Sequence, residues 1–169
     1  IRYVTGNPDQ PPSRAGISLG DSLAAVFATI GVLSALHHRE NSGRGQLVDS
    51  AIFEAVLAMM ESLLPEWEIG GYQRERTGSV LPNIAPSNVY PTEGGEMILV
   101  AANQDSVFSR LATAMGRTDL IENPKYRDHA SRGVNMEELD DLIGEWTAAQ
   151  KTDDVLEILH EAGVPAGRI

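Results

Sequence analysis

The most constraining feature of this sequence is a long apolar stretch, residues 19–36, that opens with a single carboxylate, Asp21. Large apolar residues recur all round the helical wheel, which predicts a buried helix rather than an amphipathic surface helix. They are Leu23, Val26, Phe27, Ile30, Val32, Leu33 and Leu36. Small residues recur along one line and predict a stripe where a second backbone can approach closely. They are Ala24, Ala28, Gly31 and Ala35.

The residues after this helix predict a turn, a short strand and a second helix in close succession. The cationic run 37–39 suits the negative pole of the helix dipole, and residues 42–45 (Ser-Gly-Arg-Gly) predict a turn. Residues 46–48 are short and apolar enough for one buried strand. A second helix is predicted from about residue 50 to residue 64, with Pro65 as its end. Helix, glycine turn, strand and helix are typical of a piece of an open α/β layer.

Composition narrows the class of protein. The chain has 169 residues and a formal net charge of −11, which argues against nucleic acid and anionic membranes as general partners. It has no cysteine, so disulfides, thiolate catalysis and cysteine metal sites are excluded. We expect no membrane span, because no run approaches roughly 18 apolar residues, and we see no signal peptide. A soluble, cytoplasmic protein is the expectation.

The second half of the chain has a different pattern. Residues 65–86 are rich in proline and glycine and predict a connector. A hairpin is predicted next, with strands at 88–90 and 97–101 around a Gly94-Gly95 turn. Helices are predicted over about 105–115, 136–149 and 153–162, with a polar loop at 125–133. The pattern therefore predicts two units, an α/β piece over residues 1–80 and a small α+β unit over residues 81–169.

The motif R-x-x-[ST]-G-[RK]-G-Q, which stands here as residues 39–46 (RENSGRGQ), carries a family resemblance. Together with the aspartate that opens an Ala- and Gly-rich helix, it resembles the class III coenzyme A transferases. That family includes the carnitine dehydratase and bile-acid-inducible F proteins, formyl-CoA transferase and the α-methylacyl-CoA racemases. The resemblance continues through residues 85–90, 137–146 and 162–167, and so covers nearly the whole chain.

The resemblance implies an α/β fold in which a Rossmann-like large domain joins a small α+β domain, in subunits that interlock as a homodimer. It also implies a considerably longer subunit. We therefore expect residues 1–80 to be the C-terminal portion of the large domain, residues 81–169 to be the small domain, and the fragment alone to be inactive.

Asp21 is the candidate catalytic residue. From the residues alone, the N-cap of the helix is the favoured explanation, although a carboxylate beside a buried apolar helix would be partly desolvated and hence more nucleophilic. By resemblance, Asp21 matches the aspartate that attacks an acyl-CoA thioester and then carries coenzyme A as an aspartyl thioester. Coenzyme A is then a substrate and no cofactor is implied. The CoA-binding residues stay unassigned, and the four histidines have no metal-ligand spacing.

Two other interpretations remain open at this point. The racemases of the family use a His and Asp pair to exchange an α-proton, but their His would lie upstream of Ile1. They also tend to carry an Asn four positions before the aspartate, where Ile17 stands here, and residues 19–22 are more similar to the transferase branch. The third interpretation is a non-catalytic dimerisation fragment. Arg39 and Arg44 could pair with acidic neighbours or with a phosphate.

Overall fold

The computed structural model describes residues 1–169 and divides them into two compact units, Ile1–Gly78 and Ser79–Ile169. The first unit is helical, and the second combines helices with a small sheet. In chain order the helices are α1 (Leu19–Ser42), α2 (Ile52–Ala58), α3 (Leu63–Gly70), α4 (Asp105–Ala114), α5 (His129–Val134), α6 (Met136–Ala148) and α7 (Thr152–Glu161). The strands are β1 (Ser87–Pro91), β2 (Met97–Ala101) and β3 (Ala166–Arg168).

The small-residue stripe of α1 lies under the chain that follows it, as its spacing predicted. Its four members are half-buried, whereas none of the residues of α1 is fully buried. A Cβ placed on Gly31 would lie 2.7 Å from Val48 Cγ1, and the Ser50 hydroxyl donates a hydrogen bond to the Ala24 carbonyl at 3.0 Å. Only glycine therefore fits at position 31 without movement of the neighbouring chain.

Six of the seven large apolar side chains named above are exposed and only Leu23 is half-buried, so the prediction of a helix buried on all sides is wrong for these 169 residues. Val26 and Leu33 are 55% and 62% exposed. The cause is that residues 48–58 cover only the face of α1 that carries Gly20 and the small-residue stripe, which leaves the other faces without a layer above them. By length and mean hydropathy α1 also qualifies as a possible membrane span, contrary to our expectation; a core helix of a soluble protein meets the same criterion.

The glycine motif ends α1. Gly43 adopts the left-handed conformation with φ 70° and donates its N–H to the Arg39 carbonyl at 2.8 Å, a common way to close a helix. The strand predicted at 46–48 does not form, and Leu47 is 93% exposed. No other strand forms in residues 1–78.

The second predicted helix is shorter than expected and is followed by another. α2 ends at Ala58, and Glu61 has a positive φ of 52° in the break before α3. Pro65 does not end a helix but lies in the first turn of α3, where its missing N–H has no intrahelical partner to lose. The predicted connector over 65–86 therefore begins with a helix and is irregular only afterwards.

The second unit is built on the antiparallel sheet β1-β2-β3, with β2 in the centre. The hairpin of β1 and β2 confirms the predicted strands, and Gly94 and Gly95 have φ of 90° and 86° in its turn. Ile98 and Val100 point from β2 into a core that also contains buried residues of α4, α6 and α7. α4, α6 and α7 lie within one residue of their predicted bounds.

Two features of this unit differ from the predictions. α5 forms inside the predicted polar loop and carries a fully buried arginine, Arg132. The N-cap of α7 is Lys151, without a side-chain cap, although Thr152 and Asp153 beside it are of residue types that usually cap helices.

Asp140 is a structural residue of this unit rather than a free surface charge. Its carboxylate accepts hydrogen bonds from the Tyr90 hydroxyl at 2.5 Å and from Asn88 Nδ2 at 2.8 Å. Burial of Tyr90 and the neighbouring Asp140 raise the pKa of that phenol well above its ordinary value, so it stays a hydrogen-bond donor. This contact ties α6 to β1, and Tyr90 itself is buried in the core of the unit.

Candidate active site

Asp21 lies in the first turn of α1, as its third residue, rather than at the N-cap. The N-cap is Ser18, whose side chain makes no capping hydrogen bond. The N-cap interpretation of Asp21 is therefore wrong, although a carboxylate in the first turn still favourably opposes the positive pole of the helix. The Asp21 side chain is exposed, so the expected desolvation of this carboxylate is absent in these 169 residues.

Asp21 lines a cavity of about 350 Å³, which we call the Asp21 pocket. Its wall is formed by the start of the chain, the segment before α1, the first turn of α1 and one residue of α2. The lining residues are Ile1, Arg2, Arg14, Ala15, Ile17, Ser18, Leu19, Gly20, Asp21 and Val56.

Gly20 explains how α2 comes to form one wall. A Cβ on Gly20 would lie 2.9 Å from Ile52 Cγ2 and 3.5 Å from Val56 Cγ2. The absence of a side chain directly before Asp21 therefore lets α2 pack against the first turn of α1. This contact fixes the carboxylate-bearing turn against a second helix.

A closed loop brings two arginines to the same pocket. The Ser13 N–H donates to the Thr5 carbonyl at 2.8 Å, and Gly6, with φ 121°, lies so close to Ser13 that a Cβ there would be 2.9 Å from its Oγ. Arg2 precedes this closure and Arg14 follows it, so both end at the Asp21 pocket. Neither arginine was among the site residues predicted from the sequence.

The segment after α3 holds residues 3–6, at the beginning of this loop. The Gly78 N–H donates to the Gly6 carbonyl at 3.0 Å, and Arg76 Nη1 donates to the Tyr3 carbonyl at 2.9 Å. The Arg76 guanidinium also lies over the Tyr3 ring, 5.3 Å from its centre. Residues 3–6 are thus held by contacts from a distant part of the same unit.

A larger apolar cavity of about 450 Å³ lies elsewhere in the first unit, between the start of the chain and α3. Its lining includes Tyr3 and Trp67 but no carboxylate, so it offers no nucleophile. Trp67 itself is 57% exposed. We therefore regard the smaller Asp21 pocket as the candidate active site.

The remaining candidate residues do not assemble into a second site. The four histidines are dispersed: His37 contacts Asn41, His129 contacts the Asn103 carbonyl, and His160 contacts the Ala166 carbonyl. No group of three or more possible metal ligands lies together. Arg39 and Arg44 lie at the opposite end of α1 from Asp21.

The comparisons with known proteins agree on one family. All residues, 1–169, match CoA-transferase family III. A succinyl-CoA–D-citramalate CoA-transferase from Chloroflexus aurantiacus is 54% identical over 100% of this chain and 42% of its own length. The alpha subunit of a succinyl-CoA–L-malate CoA-transferase from the same organism is 33% identical over 99% of this chain and 39% of its own length. The chain thus spans about two fifths of these curated relatives.

A solved structure extends the match to the fold. The crystal structure of a CAIB/BAIF family protein from Brucella suis, 31% identical, matches 100% of this chain and 44% of its own with a TM-score of 0.72. The match includes α1, so α1 is a helix of the fold that these proteins share rather than a feature peculiar to this chain. The family resemblance stated from the sequence is confirmed: the chain belongs to CoA-transferase family III.

Proposed function

We propose that this chain is the part of a CoA-transferase subunit that carries the catalytic nucleophile, Asp21. The observation that carries the proposal is the position of Asp21 in a pocket, within a chain that matches the family over its whole length. The enzyme moves coenzyme A from an acyl-CoA donor to a carboxylic acid acceptor.

The chemistry assigned to Asp21 is covalent catalysis by a carboxylate. An Asp21 oxygen attacks the thioester carbonyl carbon of the donor, the C–S bond breaks, and a mixed anhydride and CoA thiolate result. The thiolate then attacks the Asp21 carbonyl carbon, which releases the donor acid and leaves an aspartyl-CoA thioester. The acceptor carboxylate repeats these two steps in reverse, so Asp21 is regenerated and the new acyl-CoA leaves. The first turn of α1 favours the negative charge that Asp21 must carry at the start.

The names of the relatives supply the substrate class of the proposal. Both transfer coenzyme A from succinyl-CoA, one to D-citramalate and the other to L-malate. We propose that this chain likewise serves short dicarboxylic acids and their CoA thioesters.

The proposal extends to assembly and location. We propose a cytoplasmic homodimer of longer, interlocked subunits, in which residues 1–80 belong to the large domain and residues 81–169 form the small domain. The exposed apolar faces of α1 support this, because surfaces of that kind are covered by other protein in stable enzymes. The chromatographic mass of the full-length protein with light-scattering detection tests the dimer, and a monomer would contradict it.

Chemical trapping of the acyl intermediate tests the role of Asp21. The full-length protein is incubated with succinyl-CoA, quenched with hydroxylamine, and the mass of the peptide that contains Asp21 is measured. A hydroxamate at Asp21 is expected. Asp21→Asn is expected to lower transfer by roughly 10³-fold or more, because the nucleophile is lost.

Asp9→Asn is the matched control, because Asp9 is an exposed aspartate of the same unit outside the Asp21 pocket. It should transfer coenzyme A normally. Undiminished transfer by the Asp21 variant would overturn the proposal. Loss of an α-deuterium from a 2-methylacyl-CoA without any adduct would favour racemase chemistry instead.

A further inference from the structure

We propose that Arg2 and Arg14 form the carboxylate-recognition site of this enzyme, holding the distal carboxylate of a dicarboxylic acyl group while its thioester faces Asp21. This inference rests on the proposed function, because it assigns the specificity of the same pocket. It begins from the side chains that line the pocket with Asp21.

The charge of the pocket differs in sign from that of the chain. The chain as a whole carries −11, yet the Asp21 pocket has two guanidinium groups against one carboxylate, and its other side chains are uncharged. A local excess of positive charge on an acidic protein marks a place that attracts small anions.

Neither guanidinium is engaged by the protein. Arg2 and Arg14 are exposed and form no ion pair and no side-chain hydrogen bond, as is also true of Arg39 and Arg44 far from the pocket, whereas Arg74, Arg117, Arg132 and Arg168 are all paired with carboxylates. Arginine presents a planar fork of donors that matches a carboxylate in a bidentate manner. Both forks therefore remain available to a ligand, although Asp21 lines the same cavity.

The backbone around these arginines is anchored, which suits a recognition role. The Ser13 to Thr5 hydrogen bond closes the loop between them, and the Gly78 to Gly6 hydrogen bond holds that loop from outside. A fixed backbone reduces the ordering that ligand binding requires.

The length of the substrate decides between its two anionic parts. The Asp21 pocket, about 350 Å³ within residues 1–169, has room for a short acid. In succinyl-CoA the distal carboxylate is separated from the thioester carbon only by a short methylene chain. The diphosphate of coenzyme A lies beyond the long pantetheine arm, and so cannot share this cavity with the reacting carbon. Arg2 and Arg14 are thus assigned to the acid and not to the phosphates.

The experiment compares two donors that differ in the distal carboxylate alone, succinyl-CoA and butyryl-CoA. Formation of the Asp21 hydroxamate is timed in the full-length enzyme without an acceptor, so the apparent second-order rate constant describes the donor half-reaction only. Arg2→Gln and Arg14→Gln are each expected to lower this rate constant for succinyl-CoA by about 10- to 100-fold, the loss typical of a hydrogen bond to a charged group. Butyryl-CoA should be used as well as by the wild type, and Arg14→Lys should recover part of the loss.

Arg127→Gln is the matched control, because Arg127 is an exposed arginine of the other unit. It should leave both donors unaffected. Equal losses with both donors would overturn the inference and indicate a role toward coenzyme A or toward folding. No loss with succinyl-CoA would overturn it as well.

A binding measurement separates this inference from the proposed function. If no donor acylates Asp21, the proposed function fails, but calorimetric titration with succinate and with butyrate still examines the arginines. Succinate is expected to bind the wild type more tightly than butyrate and to lose about 10-fold or more in affinity in the Arg2→Gln/Arg14→Gln variant. Equal affinities for the two acids, or succinate affinity unchanged in that variant, would overturn the recognition site.

Discussion

Replacing the buried Arg132 with methionine is expected to destabilise residues 79–169 by about 3–5 kcal/mol. Arg132 is 0% exposed, and its guanidinium donates to the carbonyls of Ala85, Tyr126 and Asn103 and to the Asp105 carboxylate, at 2.7–3.2 Å. One side chain therefore joins segments that are far apart in the sequence.

The size of the stability loss depends on which of the four acceptors can be hydrated once the guanidinium is removed. The hydrogen bonds to Ala85 and Tyr126 are buried, so each carbonyl would lose its donor at a cost of about 1–3 kcal/mol. The Asp105 side chain is 64% exposed and is rehydrated at little cost. The guanidinium also lies 4.6 Å from the centre of the Phe108 ring, a contact of about 0.5–2 kcal/mol. Methionine recovers part of the packing, which keeps the net loss near 3–5 kcal/mol.

The assay needs a reporter that belongs to one unit, because two units need not unfold in a single transition. Trp146 lies in the second unit and Trp67 in the first, so Trp67→Phe leaves Trp146 as the only tryptophan. Urea unfolding followed by its fluorescence then gives the free energy of unfolding of that unit. Arg127→Met, at an exposed arginine, is expected to change it by no more than about 0.5 kcal/mol. A similarly small change for Arg132→Met would refute the reasoning.

Two further predictions concern the first unit. Gly31→Val is expected to lower the stability of this unit by about 1–3 kcal/mol because the new side chain meets Val48, and Val48→Ala should restore part of the loss. Thermal unfolding followed by circular dichroism measures both effects. Gly45→Ala is the control, because a Cβ at Gly45 meets nothing within 4 Å. The ion pair with Arg74 lowers the pKa of Glu66 to about 2 from an ordinary 4.5, so its stabilisation is complete above pH 4.5 and is lost as the pH falls toward 2. Melting temperatures between these pH values should fall less steeply in Arg74→Gln, and parallel curves would contradict the assignment.

Local patterns in the sequence were sufficient for most of the second unit. The hairpin of β1 and β2 and the helices α4, α6 and α7 each bury one face in the core of their own unit. The apolar face that their periodicity predicts is therefore covered within the chain. The small-residue stripe of α1 was predictable for the same reason, since its partner, residues 48–52, follows within the chain.

The predictions that were wrong share a different cause: the environment of those residues depends on segments far away in the chain or outside residues 1–169. The periodicity of α1 indicates that its large side chains require cover, but it cannot indicate whether that cover lies within residues 1–169. Arg132 stands in a polar run, and its burial depends on carbonyls at residues 85, 103 and 126 that no local pattern connects to it. A short apolar run at 46–48 resembles a strand, yet it has no partner strand in its unit.

The Asp21 pocket is built partly from a local pattern and partly from contacts between distant segments, which explains why only Asp21 could be predicted from the sequence. Asp21 lies on a long helix whose start is visible in the sequence. Arg2 and Arg14 reach the same cavity only because the Ser13 N–H closes a loop onto Thr5, with Gly6 supplying the left-handed backbone that the closure needs. The proposed nucleophile is thus held by regular structure, whereas the proposed specificity determinants are held by a loop. Loop residues can change without disturbing α1, so the acid that such a pocket accepts can vary while its carboxylate stays in place.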